Sequence, residues 1–417
     1  MEIRKCSGLL ACSVLLALVL ISGCGGKSST TTIPGTVTTV YAHTVIFRHY
    51  STMTMGYNGF GQLGDGTLTN RPEATMVPGL GHMVGGATGG EHTLVFGNTS
   101  SVKAWGYNLY GQLGNSAIST SGTSAYSSTP VNVTGFHGGT VTGVAAGAYH
   151  SLAIAGGTVY GWGYNGYGQV GNGTFVNAVV PAQVKSTIEP TSFLGTTAVP
   201  ATQVAAGSSH SLALLSDGTV YAWGKNSYGQ LGIDPTSING GYSQIARPVS
   251  WLPAPRIVTQ IAADGINSYA RADDNTVWAW GYNGMGELGI DPTTKTYSSN
   301  PVQIMLADGT TPLLATQISA GGNHVLARLA NGTVMAWGFN GYGQLGDNGR
   351  IDSFVPVAVL GLPVGVVTDI IAFGDYSLAK VGNAWYGWGD NGFGQLGNPI
   401  STSSIGYLLT PSLVQGY

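Results

Sequence analysis

Five histidines, His43, His92, His150, His210 and His324, each stand 12 or 13 residues ahead of a recurring glycine-rich motif. Imidazole is a frequent metal ligand and general base, so metal binding and acid–base catalysis are the first chemistries to weigh. A metal centre needs several ligands converging within about 2–2.6 Å of one ion. Residues that recur once per repeat are carried apart by the repeats, and no paired His or Cys spacing accompanies them. The pattern predicts structural histidines, neutral and satisfying buried backbone groups, with no metal ion.

Other candidate sites fail on context. Five motif copies contain Gly-x-Gly-x-x-Gly, as in Gly59-Phe60-Gly61-Gln62-Leu63-Gly64 and Gly392-Phe393-Gly394-Gln395-Leu396-Gly397. A dinucleotide fingerprint has meaning only where it opens a helix behind a strand, whereas Asp65-Gly66 or Asn172-Gly173 follows here, which is turn chemistry. Gly26-Lys27-Ser28 imitates the end of a phosphate loop, but the first glycine of such a loop would fall on Ile21. The duplicated Asp234-Pro235-Thr236 and Asp291-Pro292-Thr293 read as turn starts, and they lack the spaced oxygen ligands of a calcium loop. No nucleophile–base pair or carboxylate pair is recognisable. The expectation is therefore no catalytic residue and no cofactor.

Tyrosines carry the strongest surface signal. Four long insertions, at 115–129, 233–247, 290–300 and 398–410, carry Tyr126, Tyr242, Tyr297 and Tyr407 in Ser/Gly-rich surroundings. That composition is typical of adaptable protein-contact loops. Two alternatives stand at these positions: the rings touch a partner, or each folds onto its own repeat.

The elements that must position these residues follow from the motif. One copy reads Trp162-Gly163-Tyr164-Asn165-Gly166-Tyr167-Gly168-Gln169-Val170-Gly171, and the others start at Met55, Trp105, Trp223, Trp280, Trp337 and Trp388. Successive starts lie 50, 57, 61, 57, 57 and 51 residues apart, the period of a repeat array. Glycines and an asparagine that tolerate left-handed backbone mark a turn between strands, and the Trp supplies bulk to wedge one repeat against the next. Within a repeat, 203–210 and 211–215 are short strand candidates, Asp217-Gly218 is a hairpin-type turn, and 219–223 alternates with period two. A proline marks a last strand: Pro72, Pro130, Pro181, Pro248, Pro301, Pro356 and Pro411. Four strands per repeat predict an all-β, seven-bladed β-propeller of four-stranded antiparallel blades over 37–417. Pairing of 37–40 with Leu413-Val414 is the expected seal of the ring.

The ends and the composition bound the setting. Arg4 and Lys5 precede an apolar run at 9–21, too short to span a bilayer and suited to a secretory signal. The ending Ile21-Ser22-Gly23-Cys24 resembles the bacterial lipobox, which implies a signal peptide over 1–23, lipid on Cys24, a flexible tether over 24–36, and an exported protein held in the cell envelope, at the outer membrane or cell surface. Cys6 and Cys12 leave with that peptide, so packing must stabilise the domain without a disulfide. With 15 Lys and Arg against 18 Asp and Glu, nucleic acid is not an expected partner.

The signatures Ala-Gly-x-x-His-Ser-Leu-Ala at 206–213 and Trp-Gly-x-Asn-x-x-Gly-Gln-Leu-Gly at 223–232, repeated along the chain, resemble the regulator-of-chromosome-condensation repeat. The departures are Met55 for Trp, Asn267 and Tyr376 for His, and Glu287 for Gln. The resemblance implies a seven-bladed ring. Its namesake's guanine-nucleotide exchange does not suit an exported chain, since fold does not transmit function. The expected function is a monomeric, anchored, non-catalytic scaffold that binds a protein or a cell-surface glycan through its loop-bearing face. A polysaccharide-active enzyme in the central funnel is the alternative.

Overall fold

The computed structural model describes residues 42–48, 51–97, 101–187, 193–195, 198–249, 257–398 and 406–415. The expected signal peptide over 1–23, Cys24, the expected tether over 24–36 and the 37–40 half of the expected seal of the ring lie outside the described residues. Seven antiparallel sheets follow one another along the chain. Blade four shows the pattern, with strands Ala201–Ala206, His210–Leu215, Val220–Lys225 and Tyr242–Pro248 in spatial order. Six sheets have four described strands; the first has His43–Arg48, Ser51–Gly56 and Arg71–Met76. The chain is a seven-bladed β-propeller.

Period-two alternation explains where the core sits. In His210–Leu215, Leu212 and Leu214 pack toward blade five, whereas Ala213 and Leu215 pack toward blade three. A strand buried on both faces reads as a continuous apolar run, and the core is divided into layers between neighbouring blades. Every marker proline falls in an outer strand. The ladder slips there opposite the motif Trp, as between Gly161 and Gly163 against Ala182 and Ala178, so the missing N–H of Pro181 costs no ladder bond.

The blades are joined by a polar relay repeated around the ring. Trp105, Trp162, Trp223, Trp280, Trp337 and Trp388, all fully buried, donate through Nε1 to the carbonyls of Gln62, Gln112, Gln169, Gln230, Glu287 and Gln344 in the preceding blade, at 2.8–3.0 Å. Gly171 shows why glycine faces each ring: its φ is +79°, and a Cβ would stand 2.7 Å from Trp223 Nε1. The histidines complete the relay. Nε2 of His43, His92, His150, His210 and His324 lies 2.7–2.9 Å from the hydroxyls of Thr93, Ser151, Ser211, Ser268 and Ser377 in the next blade. Each hydroxyl in turn donates to the same motif glutamine carbonyl, at 2.8–2.9 Å. A hydroxyl has one proton to give, so it accepts from His Nε2–H, and that assigns the tautomer. The partner is thus a side-chain hydroxyl across the blade boundary, not the backbone group expected from the sequence. Burial holds His92, His150 and His324 down at about 3 and His210 at about 4, so these rings are neutral.

The departures from the motif are grouped at two boundaries. Between blades five and six, Asn267 replaces His, Val325 replaces the hydroxyl and Glu287 replaces Gln; the Trp337 bond to the Glu287 carbonyl remains. Glu287 is fully buried, and burial pushes its carboxyl up to about 8. Between blades seven and one, Tyr376 takes the His position and donates to the His43 carbonyl (2.9 Å), while the Thr44 hydroxyl donates to the Gln395 carbonyl (2.7 Å). Among the described residues this seam holds blade seven to blade one by side chains, and Leu413 pairs within its own sheet with Tyr386.

Met55 is the one motif start without an indole, and it lies at this seam against Gly397 and near Val414. The equivalent pocket elsewhere, with Gly114 and Val133, accepts Trp162. Met55→Trp should therefore add an Nε1–H bond to the Gln395 carbonyl and raise stability by about 1 kcal/mol. Thermal melts of the two proteins check it; a lower midpoint for the variant would show that the seam pocket differs in shape.

Candidate functional site: the motif face

Antiparallel order places the connection between first and second strands and the connection between third and fourth strands on one face of every blade. The first connections, such as Gly89-Gly90-Glu91 and Gly207-Ser208-Ser209, abut one another around the axis through Gly90 N–H to Gly147 carbonyl (3.2 Å) and Ser208 N–H to Gly265 carbonyl (2.8 Å). The third-to-fourth connections begin with the glycine motif and carry the long insertions. Motif, insertions and channel mouth therefore share a face.

On that face the third and sixth motif residues form an aromatic belt. Rings meet across blade boundaries as Phe60–Tyr107 (4.8 Å between centroids), Tyr110–Tyr164 (4.9 Å), Tyr228–Tyr282 (5.0 Å) and Tyr57–Phe393 (5.1 Å). Between blades three and four the contact is Lys225 Nζ over the Tyr167 ring, at 4.9 Å. All of these rings are half-buried, a geometry in which an aromatic keeps surface to offer while its rotamer is held. The turn itself is locked from below. Asn165 Oδ1 accepts from Val170 N–H, its Nδ2 donates to the Thr174 and Val176 carbonyls, and Gln169 Oε1 accepts from Tyr167 N–H. The belt was legible as Tyr or Phe at positions three and six of most copies, a signal not used when the motif was read for its Trp and glycines.

The four insertion tyrosines occupy one structural position. Tyr126, Tyr242, Tyr297 and Tyr407 begin the outer strands of blades two, four, five and seven, each paired in register with the third motif residue: Tyr107, Lys225, Tyr282 and Asp390. They are spread around the rim and do not converge. Tyr242 packs edge-on against Phe175 (5.4 Å) beside a cleft of about 440 Å³. Tyr407 accepts a hydrogen bond from Arg350 Nη1 (2.9 Å), whose guanidinium also lies over its ring. Tyr297 is 46% exposed. Asp234 and Asp291 are turn starts, each accepting from the backbone and hydroxyl of the Thr two residues on.

The axial channel, about 520 Å³, is lined by small residues of the inner strands such as Ala87, Ala145, Ala206 and Ala263. Gln203 caps the inner edge of the next blade by bonding both N–H and carbonyl of Ile261, and Gln260 does the same to Ile318. Of its carboxyls, Asp369 accepts from Gln317 Nε2 and Ile370 N–H, while Asp264 accepts from Gly265 N–H through Oδ1 and its Oδ2 is buried without a hydrogen-bond partner. Burial pushes Asp264 up to about 8. Among the described residues no group of three His, Cys, Asp or Glu is placed to hold a metal ion.

A closed ring of seven antiparallel sheets, joined by tryptophan and histidine relays and crowned by an aromatic belt, defines a β-propeller of the repeat-built class. The chain belongs to the RCC1-like domain family, whose model matches residues 51–415. It is 27% identical to the ultraviolet-B receptor UVR8 of Arabidopsis thaliana over 342 residues, 81% of this chain and 72% of that protein. It is 32% identical to the probable E3 ubiquitin-protein ligase HERC3 of Homo sapiens over 52% of this chain, which is 19% of the ligase. Among solved structures, Prp20p of Saccharomyces cerevisiae superimposes with a TM-score of 0.72 at 22% identity, covering 90% of this chain and 87% of that one. Human WBSCR16 does so with a TM-score of 0.72, also at 22% identity, covering 88% and 94%. These two likenesses establish the fold.

Proposed function

We propose that this propeller is a non-catalytic protein-binding module that grips its partner with the motif face. The belt of half-exposed rings carries the reading: aromatic groups with restrained rotamers supply contact area at low entropic cost, and the insertions that differ most between blades stand beside it. Prp20p is described as binding Gsp1p and histones, which supports protein recognition by such a ring without naming a partner here. The channel lining favours binding over the polysaccharide-enzyme alternative, because its inner strands present mainly small residues and Asp369 is held by Gln317 and the Ile370 N–H. The lipobox-like sequence ending at Cys24 supports an exported, lipid-anchored scaffold in the cell envelope.

A direct comparison tests this. Immobilised domain should retain specific proteins from envelope extract; changing Tyr126, Tyr242, Tyr297 and Tyr407 to Ser together should lower recovery by about tenfold or more, the scale of losing one or two interface anchors. The control variant Val364→Ser with Val366→Ser, on the opposite face, should recover them as the parent does. Equal recovery by both variants would remove the insertion tyrosines as the contact, and equal recovery after Tyr110→Ser with Tyr228→Ser as well would remove the motif face. Cys24→Ser should release the protein from carbonate-washed membranes; retention would remove the anchor.

A further inference from the structure

Glu91 poses an energetic problem that the fold does not answer. It retains 9% of its exposure, and among the described residues the single ion pair is Arg71 with Asp65. Among the described residues no hydrogen-bond donor is placed on the Glu91 carboxylate, and burial pushes its carboxyl up to about 7. The carboxylate oxygens are not among the fully enclosed unpaired atoms, so they still touch solvent, and a largely desolvated carboxylate that is open to solvent and lacks a cation is poised to take one from outside. Other motif-face carboxyls have protein partners, as Asp65 has Arg71 and Asp352 has Asn340 N–H.

The surroundings of Glu91 are aromatic. Its carbonyl accepts from Tyr107 N–H (2.9 Å), and the next blade's Tyr149 packs against the rings of Tyr107 and Tyr110. Tyr107, Tyr110 and Tyr149 form a triangle of rings, with centroids 6.4, 6.1 and 5.3 Å apart and interplanar angles of 78°, 60° and 61°. Burial, with the charge of Glu91 added, pushes the phenols of Tyr107 and Tyr110 up, so the carboxylate field reaches these rings. A cation seated over the triangle, up to about 4 Å from its plane, lies within the roughly 6 Å reach of all three rings at once. All three are half-buried and keep a solvent-facing side.

We propose that Glu91, Tyr107, Tyr110 and Tyr149 form a binding site for an organic ammonium ion at the mouth of the channel. The carboxylate supplies the counter-charge, and the rings supply cation–π contact without demanding a hydrogen-bond geometry. Two sources share this chemistry: a lysine side chain of a bound protein and a quaternary ammonium group such as a headgroup. The site stands on its own geometry, and small cations probe it without reference to any protein partner, so its failure and that of the motif-face reading are separable.

The test is a titration of the intact protein with n-butylammonium and with tetramethylammonium, following the ring-current shift of the ligand methyl protons. 3,3-Dimethylbutan-1-ol serves as the uncharged analogue. Saturable upfield shifts are expected for at least one cation, with affinity about tenfold or more above the alcohol and a similar loss in Glu91→Gln and in Tyr149→Leu. Glu91→Gln removes an uncompensated buried charge, so it should fold at least as well as the parent, which a melt verifies. Stronger binding of butylammonium assigns the lysine source and stronger binding of tetramethylammonium the quaternary one. Absence of saturation, equal binding of the alcohol, or unchanged affinity in Glu91→Gln would overturn the site.

Discussion

Acidification below about pH 4.5 is expected to unfold the ring steeply, because protonation at Nδ1 would bury an imidazolium charge at each relay histidine. His92, His150 and His324 have folded values of about 3 and His210 of about 4, against 6.5 for an ordinary histidine. Burial is the main cause, joined at His92 by the charges of His43 and His150. Values depressed on folding give stability that is complete above 6.5 and is lost as pH falls toward 3. Three carboxyls act in the opposite sense: burial raises Glu91 to about 7 and Asp264 and Glu287 to about 8. Their contribution is complete below the ordinary carboxyl range and is lost as pH rises through 7 to 8. Between about 4.5 and 6.5 the two groups nearly cancel. Below that window the histidines act alone, at about 1.4 kcal/mol per group per pH unit, all four down to the His210 value of about 4 and three from there to about 3. Thermal midpoints across pH 3 to 9 should form a plateau near pH 5 to 6.5, with a steep acid edge and a gentler alkaline decline. A midpoint unchanged between pH 6 and 3.5 would mean that the histidines are not held neutral.

The second large effect is expected from Trp223→Ala. Its ring is fully buried between blades three and four, against Gly171 and among Leu152, Val184 and Val204, and truncating such a side chain costs about 3–5 kcal/mol. The Gln169 carbonyl also loses its indole donor, keeping the Ser211 hydroxyl. Trp223→Phe separates the two contributions: it keeps most of the volume and loses the N–H, so about 1–2 kcal/mol is expected. Denaturant melts of both variants measure the difference. Equal losses would place the wedge's value in its hydrogen bond and not in its packing.

Much of this architecture was readable before any coordinates. Trp162 and its counterparts recur at a spacing that only a repeat array produces, and seven copies set the number of blades. Proline in each last strand was consistent with an edge, and every one lies there. The histidines were read as structural on the ground of equivalence, which the relay supports, although their partners are the hydroxyls of the following residue type, one blade on. That partnership was hidden because His210 and Ser268 are 58 residues apart, and nothing local in either segment marks the other. The insertion tyrosines were found individually, but their common register opposite motif position three is a property of the ladder.

The chain alone thus determined its all-β class and the blade count, since these follow from local period, turn residues and the bulk of one recurring ring, whereas the turn at Gly207 to Ser209, read as part of a strand over 203–210, was set by contact with the next blade. Closure was decided by tertiary structure: Thr44 and Tyr376, 332 residues apart, meet because seven wedges of equal angle return the last sheet to the first. The same return aligns the motif rings into a belt and sets Tyr149 against Tyr107 and Tyr110 of the preceding blade. Contacts between blades depend on the accumulated angle of the whole ring, and no window of sequence carries that quantity.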